Sequence, residues 1–220
     1  MFQRDYIVRQ LQQLTQVLAR VLFRKENHQF EEALAEIQEA GQLHLQLNLD
    51  NLRVITYDDL VAALHLGDHF DTDTASYLAE LLRQQGELHL LLHHAPEDAH
   101  LSFEHALHLY LDVFFEDARF RSPDFLARID ALLHQTETDA FSLDTQRRLF
   151  LFYETTGRFD KAEDTLFSMA EHPNADCLAE GLAFFERLRK LPLAKLRRGG
   201  LPYKEVEEGR LAFRQLFGRE

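Results

Sequence analysis

An all-α fold built of antiparallel helical hairpins is predicted by three features of this sequence. Apolar residues recur at three- and four-residue spacings along most of the chain, capping side chains precede those runs, and helix breakers are few, with nine glycines and five prolines in 220 residues. Apolar residues make up 45% and charged ones 28%, which is the balance of an ordinary globular protein with a core large enough to need no disulfide or metal. The expectation is one domain over 1–220. Within it lie N-terminal helices and a linker (1–66), a hairpin core (71–190) and a basic C-terminal segment with a final helix (191–220).

The first helix, 3–24, carries Ile7, Leu11, Leu14, Leu18 and Val21 at alternating spacings of four and three, widened by Val17 and Leu22. This stripe packs either within the chain or as the seam of a homodimer. A second helix covers 28–41. Leu43, Leu45, Leu47 and Leu49 then alternate as a strand would, but no second strand is in prospect to pair with, so 43–49 reads as an irregular linker or the frayed end of that helix. Thr56, with Asp58 and Asp59 behind it, caps a short helix ending near Gly67. Asp71 to Thr74 caps the next, which runs toward His94, and Ala95-Pro96-Glu97-Asp98 starts another reaching about Glu116. Ser122-Pro123 and Ser142 open two more, the second ending at Gly157. Helices over 158–171 and 175–190 stop at Pro173 and Pro192. Gly199-Gly200 reads as a flexible turn before a last helix from Pro202, and that tail is expected to dock through charge and through Leu201, Val206, Leu211 and Phe213.

The net charge of −13 is unevenly spread: 187–220 holds ten basic and four acidic residues, +6, which leaves −19 for the rest. An acidic body repels phosphate backbones, so nucleic acid is an unfavoured partner. One cysteine, Cys177, allows no intrachain disulfide, the start of the chain has no signal-peptide pattern, and no uncharged apolar run is long enough to cross a bilayer. A cytoplasmic protein is expected.

Three segments repeat a pattern: Gln29-Phe30-Glu31-Glu32-Ala33, Ser102-Phe103-Glu104-His105-Ala106 and Arg158-Phe159-Asp160-Lys161-Ala162. Each has a bulky residue four after the alanine (Ile37, Tyr110, Leu166) and an apolar one three further on (Ala40, Val113, Met169). The pattern resembles the second helix of a tetratricopeptide (TPR) hairpin, in which the small alanine lets two helices approach closely. The third copy is the fullest, since Tyr153 and Gly157 stand where the first helix and its turn would place them. The alanines are 73 and 56 residues apart instead of evenly spaced, so the resemblance implies an irregular TPR-like array. Both ends of the chain, Arg4-Asp5-Tyr6-Ile7 with Arg9-Gln10-Leu11 and Gly199-Gly200-Leu201-Pro202 with Glu205-Val206 and Glu208-Gly209, resemble a family of uncharacterised bacterial TPR-like proteins. By analogy of fold the resemblance implies a module that binds a protein or peptide.

Two residue clusters bear on other functions. Eight of twelve histidines fall between His65 and His108, and His65/His69, His89/His93 and His105/His108 have spacings that place both imidazoles on one helix face, as a metal site requires; Asp68, Asp71 and Asp73 could add carboxylates. A metal-binding protein or metal-dependent enzyme using His65, His69, His89 and His93 is therefore the alternative from another class. Arg187, Arg189, Lys190, Lys195, Arg197 and Arg198 crowd one segment, where they either hold the tail to the acidic body or take an external anionic partner. No catalytic motif occurs: there is no nucleophile elbow, phosphate-cradling glycine loop or dinucleotide fingerprint, and no cofactor is implied.

Overall fold

The computed structural model describes residues 2–49, 52–67, 69–94, 96–136, 140–171 and 175–217. Side chains of 2–11 lie outside what it describes, and so do Asp68, Ala95 and Pro173. The fold is all-α, with one two-residue β-ribbon among the described residues. Its contacts separate into two compact units, Met1–Thr136 and Glu137–Glu220.

In the first unit α1 (Phe2–Glu26) packs on α2 (Phe30–Ala40), and both pack on α4 (Thr72–Leu91), which forms its most extensive interface with α5 (Pro96–Glu116). Of the α1 stripe, Leu14, Val17 and Val21 are buried and Leu18 is partly so, but Leu22, expected to widen it, is 43% exposed because it faces an opening rather than a neighbouring helix; the Ile7 and Leu11 side chains lie outside the described residues. After α2 the helix widens into a π-helical turn, Gly41–Leu45, closed by Leu47 N donating to Gly41 O at 3.0 Å. Leu45, Leu47 and Leu49 then point inward without any strand. The short α3 (Tyr57–Ala63) opens with a capping box, Asp59 N donating to Thr56 Oγ1 at 3.2 Å and Thr56 N to Asp59 Oδ2 at 2.9 Å. It stops before Gly67, whose φ of +66° serves the turn of the ribbon His65–Leu66/His69–Phe70. A 3-10 turn, Ala118–Arg121, and α6 (Pro123–Leu133), capped by Ser122, complete the unit against α5.

The second unit holds α7 (Leu143–Thr156), α8 (Phe159–Met169), α9 (Ala175–Arg189), α10 (Leu193–Arg198) and α11 (Tyr203–Leu216), with α7 on α8 and α11 on α9 as the main interfaces. The basic segment thus contains a helix, α10, that the sequence did not suggest. Gly199 is buried rather than a flexible link: a side chain there would strike the Phe159 ring and the Gly157 carbonyl. Asp160 N also donates to its carbonyl at 3.1 Å. Of the expected tail anchors, Leu201, Val206 and Phe213 are buried, but Leu211 is 52% exposed.

The hairpins α1/α2, α4/α5 and α7/α8 close in one way. Each first helix ends on a residue at positive φ, His28 (58°), His93 (55°) or Gly157 (75°). The next N–H then reaches back five residues, Gln29 to Arg24 O (2.9 Å), His94 to His89 O (3.0 Å) and Arg158 to Tyr153 O (2.9 Å). This is the Schellman closure. Only Gly157 announces it in the sequence, because two of the three left-handed positions are filled by histidine. Ala33, Ala106 and Ala162 are all fully buried, with Ile37, Tyr110 and Leu166 buried beside them. The second copy is displaced relative to the sequence pattern, since Phe103 and Ala106 lie well inside α5 rather than at its start. There Phe103 covers Gly86 of α4, whose hypothetical Cβ would stand 2.6 Å from the ring, so the close approach is made by a glycine across from a phenylalanine.

Candidate functional site

In the first unit α1, α4, the 3-10 turn and α6 enclose an open cavity of about 600 Å³. Leu18 and Leu22 of α1, Tyr77 and Arg83 of α4, Phe120 and Arg128 give it an apolar floor with charge at one side. Helical spacing accounts for this: 18 and 22 are one turn apart, as are 76, 80 and 83, so each helix presents one row to the opening. Thr15 Oγ1 donates to Tyr77 Oη at 2.8 Å, and Leu22, which lines the opening, is 43% exposed.

The charges in the wall are not equal. Burial disfavours ionisation of Glu80, but hydrogen bonds from Arg83, Tyr110 and Gln84 outweigh it and hold the carboxyl below its ordinary value. Tyr110 Oη donates at 2.5 Å and Gln84 Nε2 at 2.9 Å, while burial pushes the Tyr110 phenol well up. Arg83 bridges Glu80 and Glu87, and Lys25 of α1 reaches Glu87 and Gln84, tying α1 to α4 through a shared polar network. Asp73 is matched by Arg119 at 3.2 Å. Arg128, which is exposed, makes no salt bridge among the described residues, so the cavity offers one uncommitted cation beside an apolar floor.

The histidines do not assemble as their spacing suggests. Because α3 ends at Ala63, His65 and His69 sit on the two strands of the ribbon, His65 opposite Phe70 and His69 opposite Leu66, and His65 Nδ1 contacts the Val61 carbonyl at 2.8 Å. His93 leaves the helix through its left-handed conformation, and His94 takes its place beside His89, Nδ1 to Nδ1 2.9 Å. Burial, then the neighbouring His94, lowers the pKa of His89. His105 and His108 are buried in α5, His108 stacked on Tyr57 at 3.5 Å between ring centroids, and Tyr57 Oη donates to Asp112 Oδ2 at 2.7 Å. Burial depresses the His105 pKa and its Nε2 has no hydrogen-bond partner, the behaviour of a neutral imidazole built into packing. Among the described residues no three His, Cys, Asp or Glu side chains form a group able to hold a metal ion. Cys177 is buried, and burial followed by Glu180 pushes its thiol up, away from reactivity.

The basic segment divides in two. Arg187 pairs with Glu154 of α7 at 2.7 Å, and Arg189 pairs with Glu186 at 3.0 Å and Glu207 at 2.6 Å, within the second unit. Lys190, Lys195, Arg197 and Arg198 are exposed and unpaired among the described residues. Sequence reasoning missed Glu163 of α8, whose carboxylate lies against Gly209 of α11 so closely that a side chain at 209 would have to displace it. Burial, then Asp164, Glu205 and Asp160, raise its pKa from 4.5 to about 7. Because the folded pKa lies above the ordinary one, neutral Glu163 contributes stability that is complete below pH 4.5 and lost as pH rises through 7. The full shift corresponds to about 3.4 kcal/mol, but the group is only partly buried and solvent screening reduces this to roughly 1–2 kcal/mol. Glu163→Gln should therefore stabilise the protein by that amount at pH 8 and leave it unchanged near pH 4.5. Urea melts showing no difference in pH dependence would contradict this account of the α8–α11 contact.

The folded chain defines a class, an all-α protein of helical hairpins in which no helix of the described residues is long and apolar enough to cross a membrane. More narrowly, it belongs to a family of unknown function, DUF6483, whose model matches residues 1–218. No curated protein and no solved structure matches the chain.

Proposed function

We propose that this protein is a cytoplasmic, TPR-like interaction module that takes a segment of a partner protein into the cavity between α1, α4 and α6. The observation that carries the reading is the opening itself, about 600 Å³ with half-exposed Leu22 in its lining and Arg128 uncommitted in its wall. Exposed apolar side chains beside a concave, partly charged surface are the usual features of a recognition site. The TPR-like arrangement is supported by the shared closure of three hairpins and by a buried alanine in each second helix, at the same offset in α2 and α8 and deeper in α5. The preferred ligand is a polypeptide with a leucine-sized side chain next to a carboxylate, because the acidic groups of the wall are already matched and Arg128 is not.

The test is site-specific photo-crosslinking with benzoylphenylalanine at Leu22, compared with the exposed control position Glu32 on α2. A discrete polypeptide adduct at 22, absent at 32 and abolished by Arg128→Glu, is the expected result. Equal labelling at both positions, or an adduct indifferent to Arg128, would remove the cavity from consideration.

A further inference from the structure

We infer that the 190–198 loop and α10 form a docking surface for an anionic lipid bilayer. No Asp or Glu occurs between Glu186 and Glu205, and within that interval Arg187 and Arg189 are bound to carboxylates of the second unit while Lys190, Lys195, Arg197 and Arg198 are exposed without an ion-pair partner among the described residues. A basic segment serving only to hold the tail would have matched its charges to nearby acids, as the first two arginines do. Four cations left in water on nine residues form a surface of one sign.

The second observation is shape. The segment is held from beneath: Leu196 and Leu201 are buried, Gly199 sits under the Phe159 ring, and Leu201 N donates to Leu196 O at 3.1 Å. Above these anchors Pro192, Leu193 and Ala194 are exposed, Leu193 at 57%, between Lys190 on one side and Lys195, Arg197 and Arg198 on the other. Tyr203, 41% exposed, follows at the start of α11. An exposed apolar stretch flanked along the chain by exposed cations matches a bilayer interface, where the apolar side chains enter the headgroup layer and the cations meet lipid phosphates. Single-stranded nucleic acid fits less well, since 190–198 contains no aromatic side chain and Tyr203 after it supplies a single ring, whereas a bound strand stacks successive bases on several. Acidic side chains farther off than about 10 Å are screened at 0.1 M salt, whereas Asp160, beside Gly200, is an acidic neighbour of the segment that offsets part of its charge.

The experiment is co-sedimentation of the full chain with vesicles of phosphatidylcholine alone or mixed equally with phosphatidylglycerol, at 0.1 M salt. Binding to the mixed vesicles and not to the neutral ones is expected. Each basic residue near a charged membrane surface contributes about fivefold in partition, so Lys195→Gln/Arg197→Gln/Arg198→Gln should lose roughly a hundredfold. Leu193→Ser, which leaves every charge in place, should lose about tenfold. All four positions are exposed, and unchanged melting temperatures show that the variants fold. Equal partition into both vesicle types, or a triple variant that binds as the parent does, overturns the inference. So does an arm with a fluorescent single-stranded RNA in which the parent binds RNA but not the mixed vesicles.

Discussion

Phe213→Ala is expected to destabilise the protein by about 3–5 kcal/mol, the usual cost of deleting a fully buried phenylalanine. Phe213 has no exposed surface and holds α11 against its neighbours, with ring centroids 5.5 Å from Phe167, 6.1 Å from Phe185 and 5.3 Å from Phe217. Beneath it lies Gly181 of α9, where any Cβ would collide with the ring. The void left by truncation is bordered by other aromatic rings and by a residue without a side chain, so little nearby can collapse into it. The ion pairs that accompany the tail are at least half exposed on one partner or sit at the surface, and each contributes about 0–1 kcal/mol. Apolar contact therefore dominates over charge, and the docking of α11 should persist in high salt. Guanidinium and urea melts of Phe213→Ala should show a lowered midpoint. A change within about 0.5 kcal/mol would mean that α11 is not an integral part of the second unit. Gly181→Ala attacks the same contact from the other side and should cost about 1–3 kcal/mol through overpacking.

Ala162→Leu should cost about 1–3 kcal/mol or somewhat more, for the opposite reason. Ala162 is fully buried in α8 with Phe159 and Leu166 also buried on the same face, and α7 lies across it, joined through the two-residue closure at Gly157 and Arg158. Such a short connection leaves α7 and α8 no freedom to separate without breaking the Arg158 to Tyr153 hydrogen bond. Leucine must then displace neighbours or adopt a strained rotamer. At an exposed helical position the same replacement changes stability by no more than about 0.5 kcal/mol, since alanine and leucine are both strong helix formers. Ala33→Leu and Ala106→Leu should behave likewise. Three unmoved denaturation midpoints would make the repeated Phe-x-x-Ala pattern an accident of amphipathic helices and would remove the support for a TPR-like arrangement.

Both substitutions fall on helices, α8 and α11, that contact each other through Phe167 and Phe213. The terminal signature Gly199-Gly200-Leu201-Pro202 and Glu205-Val206 with Glu208-Gly209 has a physical role here: Gly199 admits Phe159, Gly200 adopts φ of +78° beside Asp160, and Gly209 admits Glu163. The glycines allow a late segment to approach the start of α8. Glu163 is thereby held in a carboxylate-rich corner, which explains why a residue that looks like ordinary helix surface in the sequence has the most shifted carboxyl of the second unit among those described.

Several parts of this protein follow from the sequence alone because they depend on residues close together in the chain. The helical class, the capped starts at Thr56, Asp71, Ser122 and Ser142, the end at Gly157 and the inward Leu14, Val17 and Val21 of α1 are all settled by spacing and by side chains that reach backbone groups three residues away. So are the buried alanines, because periodicity already places them on the apolar face. Other parts were decided only when distant segments met. His28 and His93 carry no local mark of a left-handed closure; the hairpins impose it. That conformation swings His93 out of its helix, and the end of α3 at Ala63 sends His65 and His69 into a ribbon, so i,i+4 spacing stopped implying one face where the helix stopped. The partition of the basic segment, with Arg187 and Arg189 paired and the following four cations left in water, depends on where Glu154 and Glu207 arrive from elsewhere in the unit. The cavity beside Arg128 is likewise made by helices far apart in sequence. Spacing along a chain determines which side of a helix a residue occupies, but only packing determines what stands opposite it.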